Sequence, residues 1–229
     1  MSSDVYVINL DSRPERWKKV QERFEDSPLK LQRISAVKDG NGAYGNYMSF
    51  LKALRQARKE GLSSVLILED DCLPARGWET RWKAVKGWLD ANTGKWDIYS
   101  GGAWGGNEFV QNVTEFLGFE PEKIGTVGTN TIFKYPSLTL GAHWIYVPER
   151  SYTKMIRRYE SLAFLPRLHR KFGMDFLHGF FFRILSSYPF IAYQESSNSN
   201  IDKKFVDKRK FITNSEKRVG HHFTRRRKI

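Results

Sequence analysis

Ser64-Val65-Leu66-Ile67-Leu68-Glu69-Asp70-Asp71 is the stretch on which the fold turns. From Ser64 to Leu68 there is no polar alternation, and a strand without alternation is one covered on both faces, as in the parallel sheets of α/β proteins. Three carboxylates follow at once. Acids crowded at the C-terminal end of a buried strand repel one another unless a cation sits among them. That edge of an open α/β sheet is also where ligands bind.

Outward from this strand the chain alternates strand and helix patterns. Val5 to Leu10 reads as a strand, and Ser12-Arg13-Pro14-Glu15 starts a helix that runs to Phe24. A second strand is predicted over Leu29 to Val37, a helix over Tyr47 to Glu60 with Gly61 as its stop, a helix over Trp78 to Ala91 and a strand over Trp96 to Ser100. Gly101 to Gly106 reads as a glycine-rich loop, Gly141 to Val147 as a strand, Pro148 to Glu160 and Gly173 to Leu185 as helices, and Phe190 to Tyr193 as a last strand. The order predicts an α/β fold, a mostly parallel Rossmann-like sheet flanked by helices, in one domain over residues 1–202. Residues 203–229 read as a basic C-terminal extension.

The chain has 229 residues, 40% hydrophobic and 14% aromatic, enough for one well-packed core and too much for wholesale disorder. Its net charge is +13, and +12 of that falls on residues 151–229. The first two-thirds is therefore an ordinary, nearly balanced surface, and the basic excess is a separate property that suits a polyanionic partner. Cys72 is the single cysteine, so no intrachain disulfide forms. No secretory pattern opens the chain, and Phe176 to Leu185 is far short of a membrane span. The expectation is a cytoplasmic protein, with a basic segment able to touch an inner membrane face.

For the three acids a divalent metal is the natural counter-ion, because hard carboxylate oxygens suit Mg²⁺ or Mn²⁺ and such ions complete their shells with phosphates and water. An exposed acidic turn is the plain alternative. Gly40-Asn41-Gly42-Ala43-Tyr44-Gly45 spells G-x-G-x-x-G and raises a dinucleotide site of the NAD(P) type, although the segment before it is polar for a first buried strand. Cys72 follows the acids, which disfavour its thiolate. His221-His222 offers one imidazole to the metal if the C-terminal segment folds back, so His222 joins Asp70 and Asp71 as a candidate ligand.

Tyr6-Val7-Ile8-Asn9-Leu10-Asp11-Ser12-Arg13-Pro14-Glu15-Arg16-Trp17 resembles the opening of glycosyltransferase family 25, the lipopolysaccharide-type sugar transferases. Leu66 to Asp71 resembles that family's Asp-x-Asp-type metal motif, Gly141 to Val147 its later strand, Gly173-Met174-Asp175 its Asp before a helix, and Pro189 to Gln194 with Ser197 to Ile201 its closing segment. The chain departs from the family's Gly-Cys and Ser-His before the second helix, having Gly45-Asn46 and Ser49-Phe50 there.

The resemblance implies a GT-A fold and a nucleotide-sugar donor whose diphosphate is bridged to Asp71 by Mn²⁺ or Mg²⁺. It implies donor contacts from Asn9, Leu10, Asp11, Arg13, Arg16, Glu69 and Asp70, acceptor contacts from His143, Gln194 and Ser197, and Asp175 as general base in an inverting transfer. The acceptor would be a glycan or lipid-linked saccharide, with the basic C-terminal segment against a membrane. Two alternatives stay open for that segment: a hydroxymethylated pyrimidine in viral DNA as acceptor, or a nucleic-acid-binding module whose acidic triplet is structural.

Overall fold

The computed structural model describes residues 4–102, 120–134, 141–163, 178–179, 181–198 and 205–225. The strands are β1 (Asp4–Asn9), β2 (Lys30–Ser35), β3 (Ser64–Glu69), β4 (Cys72–Pro74), β5 (Ile98–Ser100), β6 (Glu122–Val127), β7 (Asn130–Lys134), β8 (Trp144–Pro148), β9 (Ile184–Tyr188), β10 (Ala192–Gln194), β11 (Ser197–Asn198) and β12 (Phe205–Val206). The helices are α1 (Pro14–Arg23), α2 (Gly42–Lys59), α3 (Trp78–Ala91), α4 (Glu149–Leu162) and α5 (Lys208–Arg225).

Eight strands form one sheet in the order β2-β1-β3-β8-β5-β9-β7-β6. Six of them point the same way and only β7 and β8 run against the rest, so the sheet is mostly parallel, as the alternating pattern predicted. Period-two alternation sends side chains to two cores. Tyr6, Ile8, Val65 and Ile67 pack beneath α2 and α4, with Leu54 and Ile156, on one face. On the other, Val5, Val7, Leu66 and Leu68 meet Val20 of α1 and Trp82 and Val85 of α3. Both faces of β3 are thus covered, which is why its sequence shows no alternation.

α2 begins at Gly42, five residues earlier than periodicity places it, because Asn41 caps it by accepting from the Ala43 amide. The G-x-G-x-x-G run is therefore a helix start. It follows β2, the edge strand, whereas the dinucleotide fingerprint follows a central one. Gly45 is needed there for packing, since a Cβ would lie 2.6 Å from the Val37 carbonyl oxygen.

The largest departure from expectation lies after Gln194. Instead of a detached tail, the basic segment forms the 18-residue helix α5, which lays Ile212 and Val219 against Phe133 and Phe190. Glu216 pins the same helix by accepting from the Phe190 amide at 2.7 Å and the Tyr193 hydroxyl at 2.5 Å. Arg209, Lys210, Lys217, Arg218 and His221 face outward. The charge excess is thus one face of a docked amphipathic helix, a period-3.6 pattern masked in the sequence by how few of its positions are apolar. Ile184 and Leu185, expected at the end of a helix, open strand β9 instead. Ile184, Leu185, Ser186 and Ser187 are all buried, and a short apolar run does not by itself separate buried strand from buried helix.

Candidate functional site

β1 and β3 are parallel neighbours with Ile8 opposite Glu69, so Asn9 and Asp70 leave their strands side by side at the same edge. Asn9 is 1% exposed and its amide is fully engaged. Its Nδ2 donates to Asp70 Oδ2 at 2.8 Å and to the Arg13 carbonyl at 3.0 Å, while its Oδ1 accepts from Arg33 Nε at 2.9 Å. That pattern fixes where α1 starts relative to the acids. In the first turn of α1, Arg16 pairs with Asp70 Oδ1 at 2.9 Å.

The two flanking acids are held from the other side. Glu69 accepts from Asn46 Nδ2 at 2.7 Å and from Gln194 Nε2 at 2.9 Å. Asp71, 5% exposed, accepts from the same Gln194 nitrogen at 3.1 Å and from Lys208 Nζ of α5 at 3.3 Å. Gln194 reaches them because β10 pairs antiparallel with β4, placing Gln194 opposite Cys72. Arg23 ties this pairing to α1 through the Cys72 carbonyl at 3.1 Å and Glu195 at 2.7 Å. Every one of the six carboxylate oxygens of Glu69, Asp70 and Asp71 therefore meets an N–H donor.

The electrostatics follow from this crowding. Burial holds the Asp70 carboxyl above its ordinary range; Arg16 and Asn9 pull it down and the Asp71 charge pushes it further up. Burial works against the Arg16 charge, yet Asp70 and then Asp71 keep that guanidinium above its ordinary value. Burial drives the Cys72 thiol well up, reinforced by Asp71, so it is no nucleophile.

The implied metal fits in one respect: the ammonium of Lys208 already stands in for a cation at Asp71 Oδ2. Among the described residues no group of three or more His, Cys, Asp or Glu side chains is arranged to hold a metal. An ion here would be held by Asp71 and would take the rest of its shell from phosphate and water. Asp70 differs from expectation, since both its oxygens are committed to Arg16 and Asn9.

The structure brings together Asn9, Leu10, Asp11, Arg16, Glu69, Asp70, Asp71 and Gln194. The Leu10 carbonyl accepts from the Arg13 amide at 2.9 Å and from Arg33 at 3.3 Å, and exposed Asp11 pairs with Arg33 at 3.0 Å and accepts from the Ser35 hydroxyl. Gln194, expected at the acceptor, is 4% exposed and acts as a clamp between two acids.

Two expected residues are placed elsewhere. His143 is fully buried, its Nε2 donating to the Ala192 carbonyl at 3.3 Å, and burial pushes the imidazole down to about 4. It is a neutral core histidine and touches no acceptor in this arrangement. His222 sits against Glu120 at 3.8 Å, and at 1.5 Å per residue it lies about 21 Å along α5 from Lys208, so it is no ligand for a metal at Asp71. Ser197 opens β11, opposite Val206. Asp175, Gly173 and the part of the glycine-rich loop over residues 103–106 lie outside the described residues.

Lys208, Asn46, Arg33 and Arg23 join the site beyond the residues expected there. Asn46 had a signal, since it stands where the chain departs from the resemblance. Lys208 had none, being one basic residue in a basic run.

No protein-family model matches the chain, and no curated protein matches it. Among solved structures it is similar to a mannose-1-phosphate geranyltransferase from Thermus thermophilus, with 10% identity, a TM-score of 0.40, and 81% of this chain and 73% of that chain covered. Similarity at that level carries no argument about this chain. Among the described residues no helix is long and apolar enough to cross a membrane.

Proposed function

We propose that the chain is a nucleotide-sugar-dependent glycosyltransferase with the GT-A arrangement. The observation that carries this reading is the corner at the ends of β1 and β3, where Asn9, Arg16, Glu69, Asp70 and Asp71 form one bonded network. It lies outside the carboxyl ends of adjacent parallel strands, the position at which α/β sheets bind nucleotides. The sequence resemblance of residues 6–17 and 66–71 to family 25 supports it independently.

In this reading a divalent ion at Asp71 offsets the charge that develops on the departing diphosphate. The donor's base and ribose lie toward Asn9, Leu10, Asp11 and Arg13, with Arg16 at the phosphates. The acceptor hydroxyl attacks the anomeric carbon, the bond to the diphosphate oxygen breaks, and the hydroxyl proton passes to Asp175, the base implied by the resemblance. Glycans or lipid-linked saccharides are the acceptor class. One observation favours a second reading, a phosphate-rich acceptor such as modified DNA: the exposed face of α5 carries Arg209, Lys210, Lys217, Arg218 and His221 and no exposed acid.

Calorimetry with a panel of nucleotide sugars, with and without Mn²⁺, tests the enzyme reading. Binding of at least one donor, strengthened by Mn²⁺, is expected, and silence across the panel defeats it. Affinity for a DNA duplex that stays flat between low and physiological salt defeats the second reading.

A further inference from the structure

Lys208 is the first residue of α5, 137 positions from the acid it contacts, and its side chain is 17% exposed against 8% for Asp71. The contact is held from behind. Asp207, just before the helix, accepts from the Lys210 amide at 3.1 Å and the Ser196 hydroxyl at 2.7 Å, which sets the first turn of α5 against the end of β10. Glu216 fixes the helix two turns on, at Phe190 and Tyr193. The ammonium is thus delivered to Asp71 by a docked helix.

The charges at the corner do not balance. Arg16 answers Asp70 and Lys208 answers Asp71, but Glu69 receives only amide donors, from Asn46 and Gln194. A donor diphosphate would bring further negative charge to this place, and a single ammonium is too little to receive it. A divalent ion on Asp71 would supply the difference. It would lie about 2 Å from a carboxylate oxygen, while Lys208 Nζ lies 3.3 Å from Asp71 Oδ2. Two cations that close repel strongly in a buried setting, so they exclude each other.

We propose that Lys208 is a built-in competitor for the metal position: it holds Asp71 in the free protein and must yield that carboxylate when a divalent cation binds. This inference rests on the glycosyltransferase reading for the role of the metal, and on the Lys208–Asp71 pair alone for the competition. Yielding the carboxylate frees the first turn of α5. Donor-site occupancy is thereby linked to the helix that carries the outward basic face. By reciprocity, whatever draws Lys208 away from Asp71 raises metal affinity by the same factor.

Mn²⁺ alone is the probe, with free Mn²⁺ read by electron paramagnetic resonance. Lys208→Met, and Lys208→Gln as a second variant, should bind Mn²⁺ at least tenfold more tightly than the unaltered chain. Lys208→Arg, which restores the charge, should return to the weak binding, and Asp71→Asn should bind none. Unchanged or weaker Mn²⁺ binding in both neutral variants overturns the proposal. In the unaltered chain, saturating Mn²⁺ should raise tryptic cleavage after Lys208 or Arg209 several-fold, and cleavage that is unaffected also counts against it. The two readings fail separately. Tighter Mn²⁺ binding by the variants with no nucleotide sugar bound overturns the glycosyltransferase and leaves the competition, whereas donor binding with Mn²⁺ affinity unchanged does the reverse.

Discussion

The corner at Asp70 and Asp71 and the cluster at Asp97 lie at opposite ends of the same sheet, and both bury carboxylate under cations. Their stoichiometry is reversed. Asp97, just before β5, is 3% exposed and faces three cations: Arg183 through its backbone amide at 2.9 Å and its guanidinium at 3.3 Å, Lys154 at 3.1 Å and Arg150 at 3.5 Å. Burial alone would raise its carboxyl, but the hydrogen bonds from Arg183 and Lys154 overcome that and hold it at about 2. At the corner three acids share Arg16 and Lys208, and burial leaves Asp70 above its ordinary range. One cluster is over-compensated and serves as a clamp joining β5, β9 and α4. The other is under-compensated, and an excess of buried negative charge is tolerated in a fold chiefly where a ligand supplies the missing cation.

The contrast can be broken most directly at Asp97. Asp97→Ala should cost about 2 kcal/mol, the scale for losing several hydrogen bonds between charged groups when the abandoned cations can still reach water. Urea unfolding measures it, and a loss within about 0.5 kcal/mol, the usual range of surface changes, would show that the clamp is no clamp. Asp71→Asn should behave the other way. It removes one of three mutually repelling charges, so stability should shift by less than about 1 kcal/mol, while Mn²⁺-dependent binding of a nucleotide sugar should fall at least tenfold, about 1.4 kcal/mol.

A finer test uses pH, where the clusters have opposite signs. Asp97 is depressed in the folded chain, so its contribution is present above the unfolded carboxyl value near 4 and is lost as pH falls toward about 2. Asp70 is raised, so the folded chain binds its proton more readily and ionising it costs stability as pH rises through its folded value. Asp97→Asn should therefore flatten the acid limb of the stability profile, and Asp70→Asn should steepen it. Equal slopes in both variants would erase the distinction. The smallest effect belongs to a residue of neither cluster: Lys217→Gln on the exposed face of α5 should change the unfolding midpoint by less than the equivalent of about 0.5 kcal/mol.

Particular elements show what local pattern can and cannot deliver. β1, α1, β3 and α3 are legible because each is set by a period and a cap within its own ten to fifteen residues; the pattern places α3 at the observed Trp78–Ala91. β6 and β7 have no such signature. They are an edge hairpin turning at Gly128, with φ of +55°, and β6 is polar because one of its faces is open. The start of β9 reads as helix, and α5 reads as a tail because its apolar positions are few. At the site, Glu69, Asp70 and Asp71 are found from adjacency in the chain. The misplacement of His143 and His222 comes from the same source, since a sequence names a histidine but says nothing about whether its ring lies in the core or several helical turns from any ligand.

By itself, then, the sequence determined that a doubly covered strand ends in three carboxylates and that a first strand ends beside a helix start carrying Asn9, Arg13 and Arg16. Burial period and chain adjacency are local properties, written within a few residues. Only the tertiary structure decided what meets those acids. Asn46, Gln194 and Lys208 come from 23, 123 and 137 positions away, brought in by the β4–β10 pairing and the docking of α5 on Phe133 and Phe190. Such contacts depend on strand register and helix packing, which arise from the sum of many weak burial terms over the whole chain, and no window of sequence carries that sum.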